Sequence, residues 1–172
     1  MVRLLLCVVL LAIVAGCESG GRGVGEGASE ELVREGSAPV TFMDRESLRS
    51  GVGPVDQDVS TEFSETASGL KYRILRQSDG RKPTASNMVE VHYRGWLDSG
   101  RQFDSSYDRG ETASFGLGSV VPGWTEGLQL VGEGGMIELW IPSELGYGSR
   151  GSPGSIPPNA TLHFVVELIK VQ

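Results

Sequence analysis

From about Thr61 onward, apolar and polar residues alternate in short runs that predict β-strands. In the run GLKYRIL, Leu70, Tyr72 and Ile74 share one face. Three later runs have the same period of two, and their apolar faces consist of Val89, Val91 and Tyr93; Ile137, Leu139 and Ile141; and Leu162, Phe164, Val166 and Leu168. Such runs are typical of a mostly antiparallel sheet that lies against a core on one face.

One stretch, PGWTEGLQLV, departs from this alternation. Pro122 suits the first turn of a helix, and Trp124, Leu128 and Val131 recur at helical spacing. We therefore expect one short helix packed on a twisted sheet, which is an α+β domain.

The first 17 residues have a different character, because Arg3 is followed by an unbroken apolar run, Leu4–Val14. The length of this run fits the core of a secretory signal, roughly 7 to 15 residues, and is short of the ~20 needed to span a bilayer. Two small residues then lead directly to Cys17. The segment resembles a bacterial lipoprotein signal peptide, in which this cysteine is diacylated and becomes the new N-terminus. An ordinary cleaved signal peptide or an uncleaved anchor is the alternative.

Residues 18–60 contain eight glycines, nine acidic residues and four arginines, with no sustained apolar period. Such a composition buries too little apolar surface to offset chain entropy, so it predicts a flexible acidic tether. Short helical turns near residues 29–34 and 44–49 are compatible with the pattern. A long amphipathic helix is not visible, which argues against a dimerising N-terminal domain and favours a monomer. The folded domain is expected over residues 61–172.

Charge and cysteine content exclude several classes of function. A net charge of −7 and a pI near 4.9 argue against binding of nucleic acid, which needs clustered lysine and arginine. If Cys17 is lipidated and Cys7 is removed with the signal, the mature protein has no disulfide and no cysteine metal site.

The domain also offers little for covalent chemistry. The two histidines, His92 and His163, both lie on predicted strands, and no nucleophile-base spacing or phosphate-binding loop is evident. Neither a cofactor nor a metal is expected. What stands out is a set of aromatic residues beside predicted turns: Tyr93, Phe103, Phe115, Trp124, Tyr147 and Phe164. Core filling alone would account for them.

Their spacing supports a more specific interpretation. The segments VHYRGWLDSGRQFDSS, VVPGWTEGLQLVGEGGMIELWIPSELGYGSRG and SPGSIPPNATLHFVVELIKV together resemble the FKBP-type peptidyl-prolyl cis-trans isomerases, in order, from about Ser68 to the C-terminus. The resemblance implies an antiparallel sheet of five to six strands wrapped around one short helix. It also implies an apolar pocket between helix and sheet that binds proline-containing polypeptides and, in this family, macrolide inhibitors.

The resemblance assigns roles to individual residues. Those expected to act in catalysis are Tyr93, Phe103, Asp104, Val121, Trp124, Tyr147 and Phe164. Phe115 and Ile156 are expected to flank the bound substrate. In this assignment Trp124 forms the pocket floor, while the Val121 N–H and the Tyr147 hydroxyl face substrate carbonyls.

Asp104 has two interpretations: a residue at a strand end that accepts hydrogen bonds from backbone or from Tyr93, or a carboxylate dipole directed at the twisting amide. We favour a combination of both roles, in which orienting the pocket is the larger contribution of Asp104. The sequence departs from the family pattern at Ala113, where a second aromatic is frequent, and in the short SVV segment before PGW.

The function expected from these features is isomerisation of Xaa-Pro bonds in exported proteins, by a non-covalent mechanism in a desolvating aromatic pocket. The alternative is an FKBP-fold chaperone or scaffold that holds peptides with little turnover. The lipid on Cys17 would anchor the protein in the bacterial cell envelope, facing the periplasm or the cell surface. The choice between inner and outer membrane stays open.

Overall fold

The computed structural model describes residues 51–172, which form one antiparallel sheet with two short helices. The strands are β1 Ser64–Glu65, β2 Lys71–Arg76, β3 Met88–Leu97, β4 Gln102–Ser105, β5 Ala113–Gly116, β6 Met136–Ile141 and β7 Leu162–Val171. The helices are α1 Ser106–Arg109 and α2 Pro122–Leu128. Three single 3₁₀ turns occur at Leu117–Ser119, Ser143–Leu145 and Gly148–Arg150.

The strand order within residues 51–172 is β1-β2-β6-β7-β3-β4, with β5 paired to β3 beyond this path. Every pairing is antiparallel. The predicted fold class is therefore confirmed, with seven strands in place of the expected five to six. The additional strand is the two-residue β1 at the sheet edge.

Two glycines of helix α2, Gly123 and Gly127, pack directly against side chains of β6. A Cβ atom on Gly123 would lie 2.5 Å from Ile141 Cγ2, and one on Gly127 would lie 2.6 Å from Leu139 Cδ2. Pro122 occupies the first turn, as its missing N–H and fixed φ favour. The close approach buries Trp124 and Leu128 between helix and sheet.

The main core lies on the face of the sheet that α2 covers, which we call the front face. Most of its members are the alternating apolar residues of the four long strands, as the sequence predicted, and helix α2 adds Trp124 and Leu128. Because successive side chains of a strand point to opposite faces, the intervening residues define a back face.

The back face is not left to solvent. A second apolar cluster lies there, formed by Leu75, Trp96, Met136 and Val165. Val52, Val55 and Val59 pack against this cluster. Residues 51–60, which we assigned to the tether, therefore lie along the sheet. We call residues 51–63 the N-terminal strap.

Other predictions fall outside the described residues. The signal segment 1–17, Cys17 and the helical turns near 29–34 and 44–49 all precede residue 51. Within residues 51–172, no helix is long and apolar enough to cross a bilayer.

Candidate active site

The front face contains a cavity of about 620 Å³ between α2, the strand β3 and the loop that precedes β7. Its volume is typical of a pocket for a small ligand or a peptide segment. The cavity is lined by Tyr93, Phe103, Asp104, Phe115, Ser119, Val120, Val121, Trp124, Tyr147, Ser152, Ser155, Ile156 and Phe164. All nine residues predicted for the site are among them, and their roles in substrate binding and catalysis stay predictions.

Trp124 forms the floor of the cavity. Its ring meets the rings of Tyr93, Phe115 and Phe164 edge to face, at centroid distances of 5.3, 5.7 and 5.2 Å. Edge-to-face contacts at these distances are favourable because the positive edge of one ring meets the negative face of the next. The buried Trp124 indole N–H has no hydrogen-bond acceptor among the described residues. Ring packing therefore holds the floor in place.

Phe103 forms one wall, because Gly95 leaves room for it. Phe103 lies edge to face with Phe164 at 5.4 Å. A Cβ atom on Gly95 would lie 2.6 Å from Phe103 Cζ and 2.7 Å from Phe164 Cε1. Any side chain on Gly95 would displace both rings, so the glycine of the VHYRGW motif shapes the pocket.

The polar side of the cavity is a linked set of three side chains. The Tyr93 hydroxyl donates to Asp104 Oδ2 at 2.5 Å. Arg109 Nη1 donates to Asp104 Oδ1 at 2.5 Å, and Arg109 Nη2 donates to the Tyr93 hydroxyl at 3.0 Å. The Ser105 N–H also donates to Asp104 Oδ1, at 2.8 Å. Asp104 is therefore engaged through both oxygens, and its carboxylate holds Tyr93 and Arg109 in position.

These contacts determine the ionisation of the set. Burial raises the pKa of Asp104, but the hydrogen bonds from Tyr93 and Arg109 and the arginine charge outweigh burial, so the pKa lies below its ordinary value. Burial and then the hydrogen bond to Asp104 raise the pKa of Tyr93. At neutral pH the site consequently holds a carboxylate and a neutral phenol.

Two hydrogen-bond donors at the cavity have no acceptor within residues 51–172. The Val121 N–H donates to no described residue, although the Val121 carbonyl accepts from the Trp124 N–H at 2.9 Å. The Tyr147 hydroxyl makes no hydrogen bond within residues 51–172, and its side chain is 43% exposed. Both groups are free to donate to carbonyls of a bound chain.

Sequence reasoning missed Arg109, which completes the polar set. The helix α1 that carries it has four residues, too few to show a helical period. Its signals are short: Ser105 accepts from the Asp108 N–H as N-cap, and Gly110 ends the helix at φ 73°. The other residues missed at the cavity are Ser119, Val120, Ser152 and Ser155.

Ala113 and the SVV segment both lie near the cavity. Ala113 is half-buried on β5 and packs against the main core, and it does not line the cavity. The SVV segment does line it, as Ser119, Val120 and Val121. The 3₁₀ turn Leu117–Ser119, which leads into this segment, is held by Thr125, whose hydroxyl donates to the Leu117 carbonyl at 2.7 Å.

The cavity thus combines an aromatic floor and wall with a fixed carboxylate and two unused donors. It can remove water from a small apolar ring and hold the chain on either side of it. Such an arrangement is compatible with conformational chemistry that breaks no covalent bond.

A profile of the FKBP-type peptidyl-prolyl cis-trans isomerase family matches residues 79–169. This span exceeds half of the chain and includes the polar set and α2. The chain therefore belongs to this family, as its resemblance predicted.

Individual relatives agree with this assignment. The FKBP-type isomerase FkpA of Aeromonas hydrophila is 50% identical over 107 residues, which cover 62% of this chain and 40% of that protein. The FKBP-type 22 kDa isomerase of Escherichia coli K12 is 45% identical over 122 residues, 70% of this chain and 59% of that protein. The chain thus spans only part of the length of these relatives.

Among solved structures, FkpA from Escherichia coli superposes with a TM-score of 0.62 at 48% identity, covering 64% of this chain and 51% of that one. AtFKBP13 superposes with a TM-score of 0.59 at 35% identity, covering 64% of this chain and 99% of that one. The match to AtFKBP13 therefore extends over nearly all of that structure.

Proposed function

We propose that this domain catalyses cis-trans isomerisation of Xaa-Pro bonds by a non-covalent mechanism. The observation that carries the proposal is a cavity with an aromatic floor and two donors, the Val121 N–H and the Tyr147 hydroxyl, that have no acceptor in the part of the chain that the structure describes. Family membership supports the same reaction.

The chemistry follows from the amide group. Rotation about the bond crosses a barrier of about 18–20 kcal/mol, because resonance holds the amide planar. When the bond twists, the nitrogen loses conjugation, charge separation falls, and the amide needs less hydration. An apolar slot formed by Trp124, Phe103 and Phe164 therefore stabilises the twisted state more than the planar one.

The donors have a complementary role. A substrate carbonyl held by the Val121 N–H and another held by the Tyr147 hydroxyl would keep one flank of the chain fixed while the other rotates. Asp104 would act mainly by orienting Tyr93 and Arg109, since both of its oxygens are engaged with protein donors. Rotation requires no proton transfer, so an ionised carboxylate suits this role.

A proline substitution tests the backbone donor directly. Val121 has φ −58° and ψ 144°, and Val120 before it is extended, so Val121→Pro is compatible with the existing backbone. The variant removes the N–H donor and replaces the valine side chain with the proline ring. We expect kcat/KM for Xaa-Pro peptides to fall about three- to tenfold, the effect of one net hydrogen bond. Val121→Ala is the matched control, because it keeps the N–H and removes the side chain.

A protease-coupled assay with the full chain measures both variants. Equal activity of Val121→Pro and wild type would contradict the assigned role of the N–H. No acceleration by folded wild-type protein, together with peptide binding in the cavity, would favour the peptide-holding chaperone or scaffold.

We also propose that the protein is a lipoprotein of the bacterial cell envelope, anchored through Cys17 and facing the periplasm or the surface. The support is the sequence alone: a short apolar run and small residues that end at Cys17. Incorporation of labelled palmitate should be lost in Cys17→Ser and kept in Cys7→Ser. Incorporation into Cys17→Ser would contradict the proposal.

Substrates and partners follow from the same proposals. We expect proline-containing segments of exported proteins as substrates, macrolides as competitors for the cavity, and a monomeric protein that binds no nucleic acid. The isomerase domain is assigned to residues 61–172 and the tether to 18–60, with the end of the tether seated on the sheet.

A further inference from the structure

A second cavity, of about 300 Å³, adjoins the candidate active site. It is lined by Arg101, Arg150, Pro153, Gly154, Ser155, Ile156, Pro157 and Pro158. Ser155 and Ile156 line both cavities, so a chain that leaves the first cavity in this direction enters the second. We call this second cavity the basic subsite.

Two arginines line the basic subsite. Arg101 lies in the β3–β4 turn, two residues before the pocket wall Phe103. Arg150 ends the 3₁₀ turn that follows Tyr147 at the pocket rim. No carboxylate lines this cavity, although the chain as a whole has a net charge of −7. The local field there favours an anion.

The two arginines differ in how they are held. Arg101 Nη2 donates to the Ser155 carbonyl at 2.6 Å, which ties the β3–β4 turn to the loop between the two cavities. Arg150 is exposed and makes no hydrogen bond or ion pair with any described residue. Arg101 is thus a fixed charge, whereas Arg150 is available to a ligand.

We propose that the basic subsite recognises an acidic side chain of the substrate, within about three residues of the proline. An extended chain advances about 3.3–3.6 Å per residue, so three residues reach roughly 10 Å from the proline. Because Ser155 and Ile156 line both cavities, such a segment can pass from the first cavity into the second. The guanidinium group can bind a carboxylate through two parallel hydrogen bonds, and Ile156 and the prolines supply an apolar floor for the methylene groups. This inference rests on the proposed isomerase function, and it adds a preference for acidic flanking residues.

The test compares peptides that differ only in charge. Seven-residue peptides with a single Leu-Pro bond carry Glu or Gln either two or three residues before the proline, or one, two or three residues after it. For at least one position, the wild-type full chain should isomerise the Glu peptide about threefold faster than the Gln peptide at low salt, as expected for a partly exposed ion pair. This ratio should approach one in 1 M NaCl, where screening acts over about 3 Å.

Arg150→Glu should reverse the preference, so that the Gln peptide is isomerised faster than the Glu peptide. Arg150→Lys should retain part of the preference, because it keeps the charge and loses the planar fork. Arg81→Glu is the matched control, since Arg81 is exposed and lines neither cavity. It makes the same change in net charge and should not alter the ratio.

Dissociation constants of the same peptides, from fluorescence anisotropy, separate this inference from the proposed function. Equal isomerisation of Glu and Gln peptides at every position would overturn the basic subsite and leave the isomerase intact. If no peptide is isomerised, the proposed function fails, and tighter binding of a Glu peptide that is lost in Arg150→Glu would still support the subsite. Equal binding in that case would overturn both.

Discussion

The two faces of the sheet use polar groups in opposite ways. On the front face, the cavity has aromatic walls, and the Val121 N–H and the Tyr147 hydroxyl are left without partners among the described residues. On the back face, charged groups are paired with each other. Arg73 Nε contacts Glu138 Oε2 at 2.5 Å, and both side chains are almost fully buried.

The strap accounts for this difference. Ser60 accepts from Arg73 Nη1 through its carbonyl at 3.3 Å, and the Phe63 ring lies 4.9 Å from the Arg73 guanidinium. Pro54 accepts from Arg76 Nη1 through its carbonyl at 2.9 Å. A charge on a covered face needs a partner within the protein, whereas an open cavity can keep donors available for a ligand. Arg73 Nη2 is an exception on the back face, since it is buried with no hydrogen-bond partner among the described residues. We therefore expect the back face to determine stability and the front face to determine activity.

The largest effect should come from breaking the buried ion pair. Glu138→Ala would leave the Arg73 guanidinium buried without its carboxylate, and we expect the free energy of unfolding to fall by about 3–5 kcal/mol. Urea denaturation measures this change. The activity per folded molecule should stay within twofold of wild type, since neither residue lines the active-site cavity.

A double variant, Arg73→Met with Glu138→Leu, is the control for this prediction. Replacing both charges with apolar side chains of similar volume should restore most of the stability, because no unpaired charge is left. A double variant as unstable as Glu138→Ala would show that packing, and not the unpaired charge, causes the loss.

The next effect should appear on the front face. Phe103→Ala removes the pocket wall that packs on Phe164, and we expect kcat/KM to fall at least tenfold. Because Phe103 is only half-buried, the loss of stability should be smaller than the ~3–5 kcal/mol typical of a fully buried phenylalanine. Peptide isomerisation and urea denaturation, measured on the same sample, separate the loss of activity from the loss of stability.

Phe103→Leu serves as the matched control, since it keeps an apolar wall and should retain more activity than Phe103→Ala. If both variants lose stability but keep wild-type kcat/KM, Phe103 contributes to the core and has no role in catalysis.

A smaller effect concerns pH. The pKa of Asp104 is lowered, so its contribution to stability is fully present above its unfolded value of about 3.9 and is lost as pH falls through the folded value. Wild-type kcat/KM should accordingly be constant from pH 8 down to about pH 5. In Arg109→Gln, burial still raises the pKa of Asp104 while the arginine no longer lowers it. The acid limb of the profile should then move to higher pH.

Profiles of kcat/KM from pH 4 to 8 test this shift, with circular dichroism to check that each sample is folded. Arg81→Gln, which removes an arginine far from Asp104 in sequence and outside the cavity, should leave the profile unchanged. Superimposable profiles for wild type and Arg109→Gln would contradict the role of Arg109.

The smallest effect should come from the strap itself. Val55 is half-buried against the back-face cluster, so Val55→Ala should lower the free energy of unfolding by about 1 kcal/mol or less. Gln57→Ala, at an exposed position two residues on, should change it by less. If Val55→Ala lowered kcat/KM while hardly changing the free energy of unfolding, this would contradict the assignment of stability to the back face and activity to the front face.

Strand alternation predicted the front face well, because every second side chain of a strand lies on the same face of the sheet. The strands β2, β3, β6 and β7 were all anticipated, and so was the helix that carries Trp124. The resemblance then named nine residues, and the structure brings all nine around one cavity. Local pattern and motif spacing were sufficient for this part.

The back face was not predictable in the same way. Glu138 alternates with apolar residues, which predicts only that it lies opposite the core, and its burial depends on Arg73 and on the strap. The strap has the glycine-rich, acidic composition of a tether, and three isolated valines do not form a period. Arg109 was missed because its contact with Asp104 depends on a single turn of helix, which the sequence pattern does not show.

The most direct test of the central claim is two-dimensional NMR exchange on a short Leu-Pro peptide with a catalytic amount of the full chain. We expect cis-trans exchange well above the solvent rate, partly retained in Tyr147→Phe and strongly reduced in Asp104→Ala. Exchange at the solvent rate, while peptide shifts show binding at saturating protein, would contradict catalysis and leave a peptide-binding module.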